Sequence, residues 1–229
     1  MKDFATVGTL DELEIIASGC TDCALHEGRT NVVFASGDTR ATVMVVGEGP
    51  GQHEDEQGVP FVGRSGQLLV SLLAEQGIDR EDTYIANVVK CRPPGNRDPK
   101  PEEIDACKPY LRRQIQLVDP TVVVSVGNFS TKLLMNTTVG ITRLRGQAYE
   151  WWGRHLVPTF HPAAALRGGQ RVADDMRTDI ALVRAILDGR IGVDPPEGGE
   201  ERPHGRDPAP EESAPHVPDP DQLDLFGSA

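Results

Sequence analysis

The chain has 229 residues, is 38% hydrophobic and carries a formal net charge of −12. That length holds one large domain or two small ones with a sizeable core, and without a run of about 18 apolar residues a transmembrane helix is excluded. The acidity does not exclude nucleic acid, because residues 191–229 hold ten acidic and two basic side chains and leave only −4 for the first 190.

The N-terminus, MKDFATVGTLDELEII, has acids where a secretory signal has its apolar stretch, so a soluble, cytoplasmic protein is expected. LDELEIIAS (10–18) has helical spacing, and ATVMVVG (41–47) reads as a buried strand. GQLLVSLLAEQG (66–77) reads as a helix closed by Gly77, and TYIANVV (83–89) as a second strand. The stretch 100–118 predicts a helix that accepts Pro101 in its first turn, whereas Pro109 is expected to bend or break it. TVVVSVG (121–127) is a third strand, NFSTKLLM (128–135) a helix, HLVPTFHP (155–162) a fourth strand running into a loop, and 173–189 the last helix. Alternating strands and helices with continuously apolar strands imply an α/β fold, a mostly parallel sheet covered on both faces. Ligands then bind beyond the C-terminal strand ends, where 47–63, 87–98 and 160–167 fall. Beyond 190 the composition turns to Pro, Gly and Glu with almost no large apolar residues, which predicts disorder over roughly 191–220.

The stretch GEGPGQHEDEQGVPFVG (47–63) follows the first strand as a phosphate cradle would, yet carries Glu48, Glu54, Asp55 and Glu56 and no lysine. Glycines there let a backbone approach a ligand closely. The four cysteines, Cys20, Cys23, Cys91 and Cys107, include one C-x2-C pair; in a cytoplasmic protein they fit a zinc site or an iron–sulfur cluster, and spacing does not separate the two. Asn87, at the end of the second strand, has an amide that donates and accepts at once, suited to a base edge or to capping a turn.

Residues 47–69, 84–111 and 159–167, with CTDCAL at 20–25, together resemble the family-four uracil-DNA glycosylases, the iron–sulfur type of bacteria and archaea, over roughly residues 10–190. The resemblance implies a three-layer α/β/α sandwich and a structural [4Fe–4S] cluster on Cys20, Cys23, Cys91 and Cys107, with no catalytic metal. It implies that uracil is flipped out of single- or double-stranded DNA and its N-glycosidic bond hydrolysed. Glu48 would activate or position water, Gly49 would hold the base through its backbone, Glu54 would exclude thymine near C5, Phe61 would stack on the ring, Asn87 would read the base edge, and His161 would stabilise the departing anion at O2. Asp55 and Glu56 are expected to be solvated loop acids. Leu166 or Arg167 is the expected wedge in the base stack, Arg64 and Arg92 candidate phosphate contacts, and Arg97 with Asp98 a local ion pair.

Two other readings compete: a uracil-DNA binder that traps its substrate covalently, and an iron–sulfur redox or zinc structural module that merely binds DNA. The first needs a His in a basic insertion, which the loop RPPGNRDPKPEE after Cys91 lacks. In the tail, Gln222, Leu223, Leu225 and Phe226 restore large apolar side chains and resemble the motif by which bacterial proteins bind the replication sliding clamp. A monomer, nucleoid-associated and without membrane contact, is the expected state.

Overall fold

The computed structural model describes residues 2 and 4–191; the expected disordered tail and clamp motif lie outside them. Five strands form one sheet: β1 (Val43–Gly47), β2 (Thr83–Asn87), β3 (Val122–Val126), β4 (Tyr149–Trp151) and β5 (Arg154–Thr159). Their spatial order is β2-β1-β3-β5-β4, and all pairings are parallel except the β4–β5 hairpin. Every residue of β1, β2 and β3 is buried, which is why these strands read as largely apolar runs, interrupted only by Thr83, Asn87 and Ser125.

The pleat divides those side chains between two cores. Val43, Val45, Ile85, Val122, Val124 and Val157 pack against α3 (Arg64–Ala74) and α8 (Gln170–Leu187). Met44, Val46, Tyr84, Ala86, Val123 and Leu156 face α4 (Pro101–Val118), α5 (Asn128–Leu134) and α6 (Ile141–Leu144). The result is the expected three-layer sandwich. α1 (Leu10–Ser18) starts with a capping box between Thr9 and Glu12 and lays Leu13 and Ala17 on Tyr110 of α4 in a smaller third core. Two short helices, α2 (Gln52–Gln57) and α7 (Pro162–Gly168), complete the fold.

Pro109 does not break its helix: α4 runs unbroken through it. The carbonyl deprived of its donor belongs to Asp105, an exposed residue open to water, while buried Tyr110, Leu111, Ile115 and Val118 hold the helix on the sheet. The helix expected to end at Gly77 ends at Ala74, with Glu75 as its cap.

Both sheet edges are short or occupied. Ser36 exchanges two backbone hydrogen bonds with Ile85 on the outer side of β2 (Ser36 N to Ile85 O 3.0 Å, Ile85 N to Ser36 O 2.8 Å). At the other edge, β4 is three residues long.

Candidate active site

Parallel register brings the C-terminal ends of β1, β2, β3 and β5 to one edge, with Gly47 level with Asn87 and Val126 level with Thr159. A cleft of about 490 Å³ opens there. It gathers Glu48 and Gly49 after β1, Glu54 on α2, Phe61 before α3, Asn87 at the end of β2, and His161 and Arg167 from α7 and its N-cap. These are seven of the residues singled out from sequence. Arg64, exposed at the start of α3, and Leu166, 46% exposed on α7, lie outside the lining, on two helices that pack together.

The close approach is built on missing side chains. A Cβ on Gly47 would fall 2.4 Å from Asn87 Oδ1 and 2.6 Å from the Phe61 ring, so only glycine lets amide and ring meet at the end of β1. Phe61 itself has φ 55°, a left-handed conformation that costs a non-glycine residue about 1–2 kcal/mol. Its ring centroid is 6.5 Å from that of His161.

Glu48 is half-buried, and burial together with the neighbouring Asp98 carboxylate raises its pKa from 4.5 to about 7. His161 Nδ1 accepts from Ala163 N at 3.2 Å, which leaves Nε2 to carry the proton of a neutral ring. Burial, then the nearby Arg167, lowers the His161 pKa and favours that neutral form. The site therefore offers a carboxyl titrating near neutrality and an imidazole N–H donor. Behind it, Thr159 Oγ1 donates to Asp179 Oδ2 (2.8 Å), and the fully buried Asp179 is paired with Arg145 at 2.8 and 3.0 Å. This network anchors the end of β5 two residues before His161.

Two acids, Asp55 and Asp98, behave differently from their sequence reading, and Glu54 has a second role beside its place in the cleft. Asp55 is not a solvated loop acid: it is 3% exposed, and its Oδ1 accepts from Thr30 N (2.9 Å) and Asn31 N (3.4 Å), tying α2 to the N-terminal segment. Glu54 lines the cleft, but its oxygens accept from Gly51 N (3.1 Å), Val62 N (3.1 Å) and Gly63 N (2.9 Å), so it also shapes the loop carrying Phe61. Asp98 faces Glu48 rather than pairing with Arg97, whose guanidinium forks onto buried Glu103 at 2.6 and 2.8 Å. Glu56 stays on the surface, bonded to Gln52. Arg92 donates to Asn96 Oδ1 at 2.7 Å.

The four cysteines are free thiols around a second, small cavity, with Tyr110, Arg29 and Lys90 also in its wall. Among the described residues no three His, Cys, Asp or Glu are disposed to hold a single metal ion. Donors nevertheless point at the sulfurs: Arg29 Nη1 reaches Cys91 Sγ at 3.3 Å and Lys90 N reaches Cys107 Sγ at 3.2 Å. Tyr110 Oη is buried in the same wall without a hydrogen bond, the Cys20 thiol beside it falling short of bonding geometry. Burial pushes the Cys107 thiol up to about 12. Four thiols around a shared space, with sulfur-directed donors and an orphaned hydroxyl, fit a polynuclear sulfide cluster. Lys90 connects this cavity to the cleft: its buried ammonium donates to Asn87 O (2.7 Å) and to Gln114 Oε1 (2.5 Å).

Residues 34–182 match the model of the Uracil DNA glycosylase superfamily. The chain is 50% identical over 150 residues to the type-4 uracil-DNA glycosylase of Thermotoga maritima, covering 65% of this chain and 78% of that protein. It is 41% identical over 207 residues to the type-4 enzyme of Sulfurisphaera tokodaii, covering 84% and 94%, and 44% identical over 168 residues to that of Archaeoglobus fulgidus, covering 69% and 83%. A type-5 uracil-DNA glycosylase of Pyrobaculum aerophilum is more distant, at 32% over 146 residues. The chain belongs to the type-4 uracil-DNA glycosylase family.

Proposed function

We propose that this chain is a DNA-repair hydrolase that extrudes a uracil nucleotide and cleaves its N-glycosidic bond, leaving free uracil and an abasic site. The observation that carries the reading is the meeting of Glu48, Phe61, Asn87 and His161 in one cleft at the sheet's C-terminal edge. Phe61 and the Gly49 backbone hold the ring, the Asn87 amide pairs with O4 and N3–H, and the Glu54-shaped loop crowds C5, where thymine carries its methyl group. As the bond between C1′ and N1 breaks, its electron pair leaves with the base and the sugar becomes oxocarbenium-like. His161 Nε2–H donates to O2 of the departing anion, and the Glu48 carboxylate orients water onto C1′ and takes its proton. Arg64 and Arg167 contact phosphates on either side of the opening, and exposed Leu166 fills the gap in the stack.

Cys20, Cys23, Cys91 and Cys107 would hold a [4Fe–4S] cluster. When bound, it supplies a covalent cross-link between the segment after α1, the end of the β2 loop and α4, a folding contribution of the kind metal ligation makes. The catalytic domain spans residues 1–190. Gln222 to Phe226, at the end of the acidic tail 191–229, would dock on a sliding clamp, a reading that rests on sequence alone.

The test is uracil release from single- and double-stranded uracil-containing DNA by the full-length protein. Release by wild type, with loss in Glu48→Gln and His161→Ser at unchanged DNA affinity, is expected. DNA left intact at enzyme excess overturns the hydrolase reading.

A further inference from the structure

Phe61 holds an unfavourable backbone conformation, so something must fix it. Two features do. A Cβ at Gly66 would fall 2.0 Å from the Phe61 carbonyl oxygen, so the first turn of α3 packs directly against that peptide. The second is Arg80, 19 residues downstream in the α3–β2 connection and outside the cleft lining. Its half-buried guanidinium donates from Nη2 to Pro60 O at 2.7 Å and from Nη1 to Phe61 O at 3.1 Å. Nη2 also reaches Ser36 Oγ at 3.2 Å, on the segment bridged to Ile85 of β2. Two successive carbonyls are thus turned toward one cation, and that cation is tied to the strand ending in Asn87.

We propose that Arg80 is a positioning residue for base recognition: it holds the Pro60–Phe61 backbone so that the Phe61 ring stays over Gly47, between Asn87 and His161. The inference rests on the uracil reading of the cleft and extends it to a side chain that touches no substrate. A planar guanidinium can serve two carbonyls and a hydroxyl together. Without it, the two carbonyls lose their shared donor, the left-handed residue relaxes and the ring leaves the base site.

The experiment is a double-mutant cycle on the full-length protein with Arg80→Gln, Phe61→Ala and both together. It reads single-turnover uracil release and inhibition by free uracil, with affinity for undamaged DNA and thermal unfolding measured alongside. Arg80→Gln is expected to lower the single-turnover release rate about tenfold and to weaken free-uracil inhibition by a similar factor, with unchanged affinity for undamaged DNA. In the Phe61→Ala background the same change should cost less than about twofold. Arg80→Lys, which keeps a charge but loses the fork, should fall between wild type and Arg80→Gln, and it carries the same comparison if the Gln variant is too unstable to assay. Costs that multiply across the cycle, or reduced release with unaltered free-uracil inhibition, overturn the role of Arg80. Wild-type protein that releases no uracil overturns the reading of the cleft beneath it.

Discussion

Replacing Glu48 by Gln should make the protein more stable at pH 8 while removing its activity. In the folded chain Glu48 holds its proton up to about pH 7, first because it is buried and then because Asp98 is close; in the unfolded chain it releases the proton near 4.5. Between those values the unfolded state binds fewer protons, so folding stability falls as pH rises through that window and the full penalty is present above it. The interval corresponds to about 3.4 kcal/mol at full weight. Glu48 is partly open to cleft water, so screening reduces this to about 1.5 kcal/mol. Gln carries no such penalty, and for a chain of this size the gain reads as a rise in Tm of about 3–6 °C at pH 8. At pH 5 the gain should shrink to roughly a quarter, since most of the window still lies ahead. Thermal unfolding of both proteins at pH 5, 6, 7 and 8 measures it. A variant no more stable than wild type at pH 8, or a difference that does not change with pH, refutes the reasoning.

The same titration predicts that single-turnover release by wild type rises with pH through about 7, as Glu48 becomes the carboxylate, and a rate that falls across this range would contradict that role. Asp179→Ala leaves Arg145 with only Asp175 to pair with and Thr159 without its acceptor; it should cost about 2 kcal/mol in denaturant unfolding, and a loss under about 0.5 kcal/mol would show the network to be dispensable. Cys91→Ser should yield protein lacking the visible thiolate-to-iron absorption and with a lowered Tm, and wild-type absorbance and stability in that variant would remove Cys91 from the ligand set.

The parallel strands were legible because burial on both faces makes them largely apolar, as in VMVVG and VVVSV. The edge strand β4 was not, since only Trp151 of its three residues is buried and its pairing depends on β5. α2, with its sequence QHEDEQ, has one buried side chain, Asp55, and no apolar stripe to announce a helix. In the cleft, the residues that line it stood out because short motifs carry them. What holds those residues did not. Arg80 bonds to backbone carbonyls, which have no sequence signature, and Glu54 and Asp55 bind N–H groups that only the folded loop gathers. Asp98 looked like a partner for its neighbour Arg97, yet the guanidinium fork reaches Glu103 six residues on, at the start of α4. A charged residue among several opposite charges chooses by geometry, and geometry waits on the fold.

The bridge between Ser36 and Ile85 has a consequence for the protein in a crowded cell. A sheet whose outermost strand shows unpaired N–H and C=O groups is a template on which another chain can add a strand, the first step toward aggregation. Here the N-terminal segment occupies part of that template with two hydrogen bonds from a single residue, and the opposite border is too short to nucleate anything. Since the Arg80 guanidinium also grips Ser36 Oγ, whatever loosens that grip should uncover the strand border as well as the base site. Variants at position 80 are therefore expected to precipitate on storage sooner than variants at position 61.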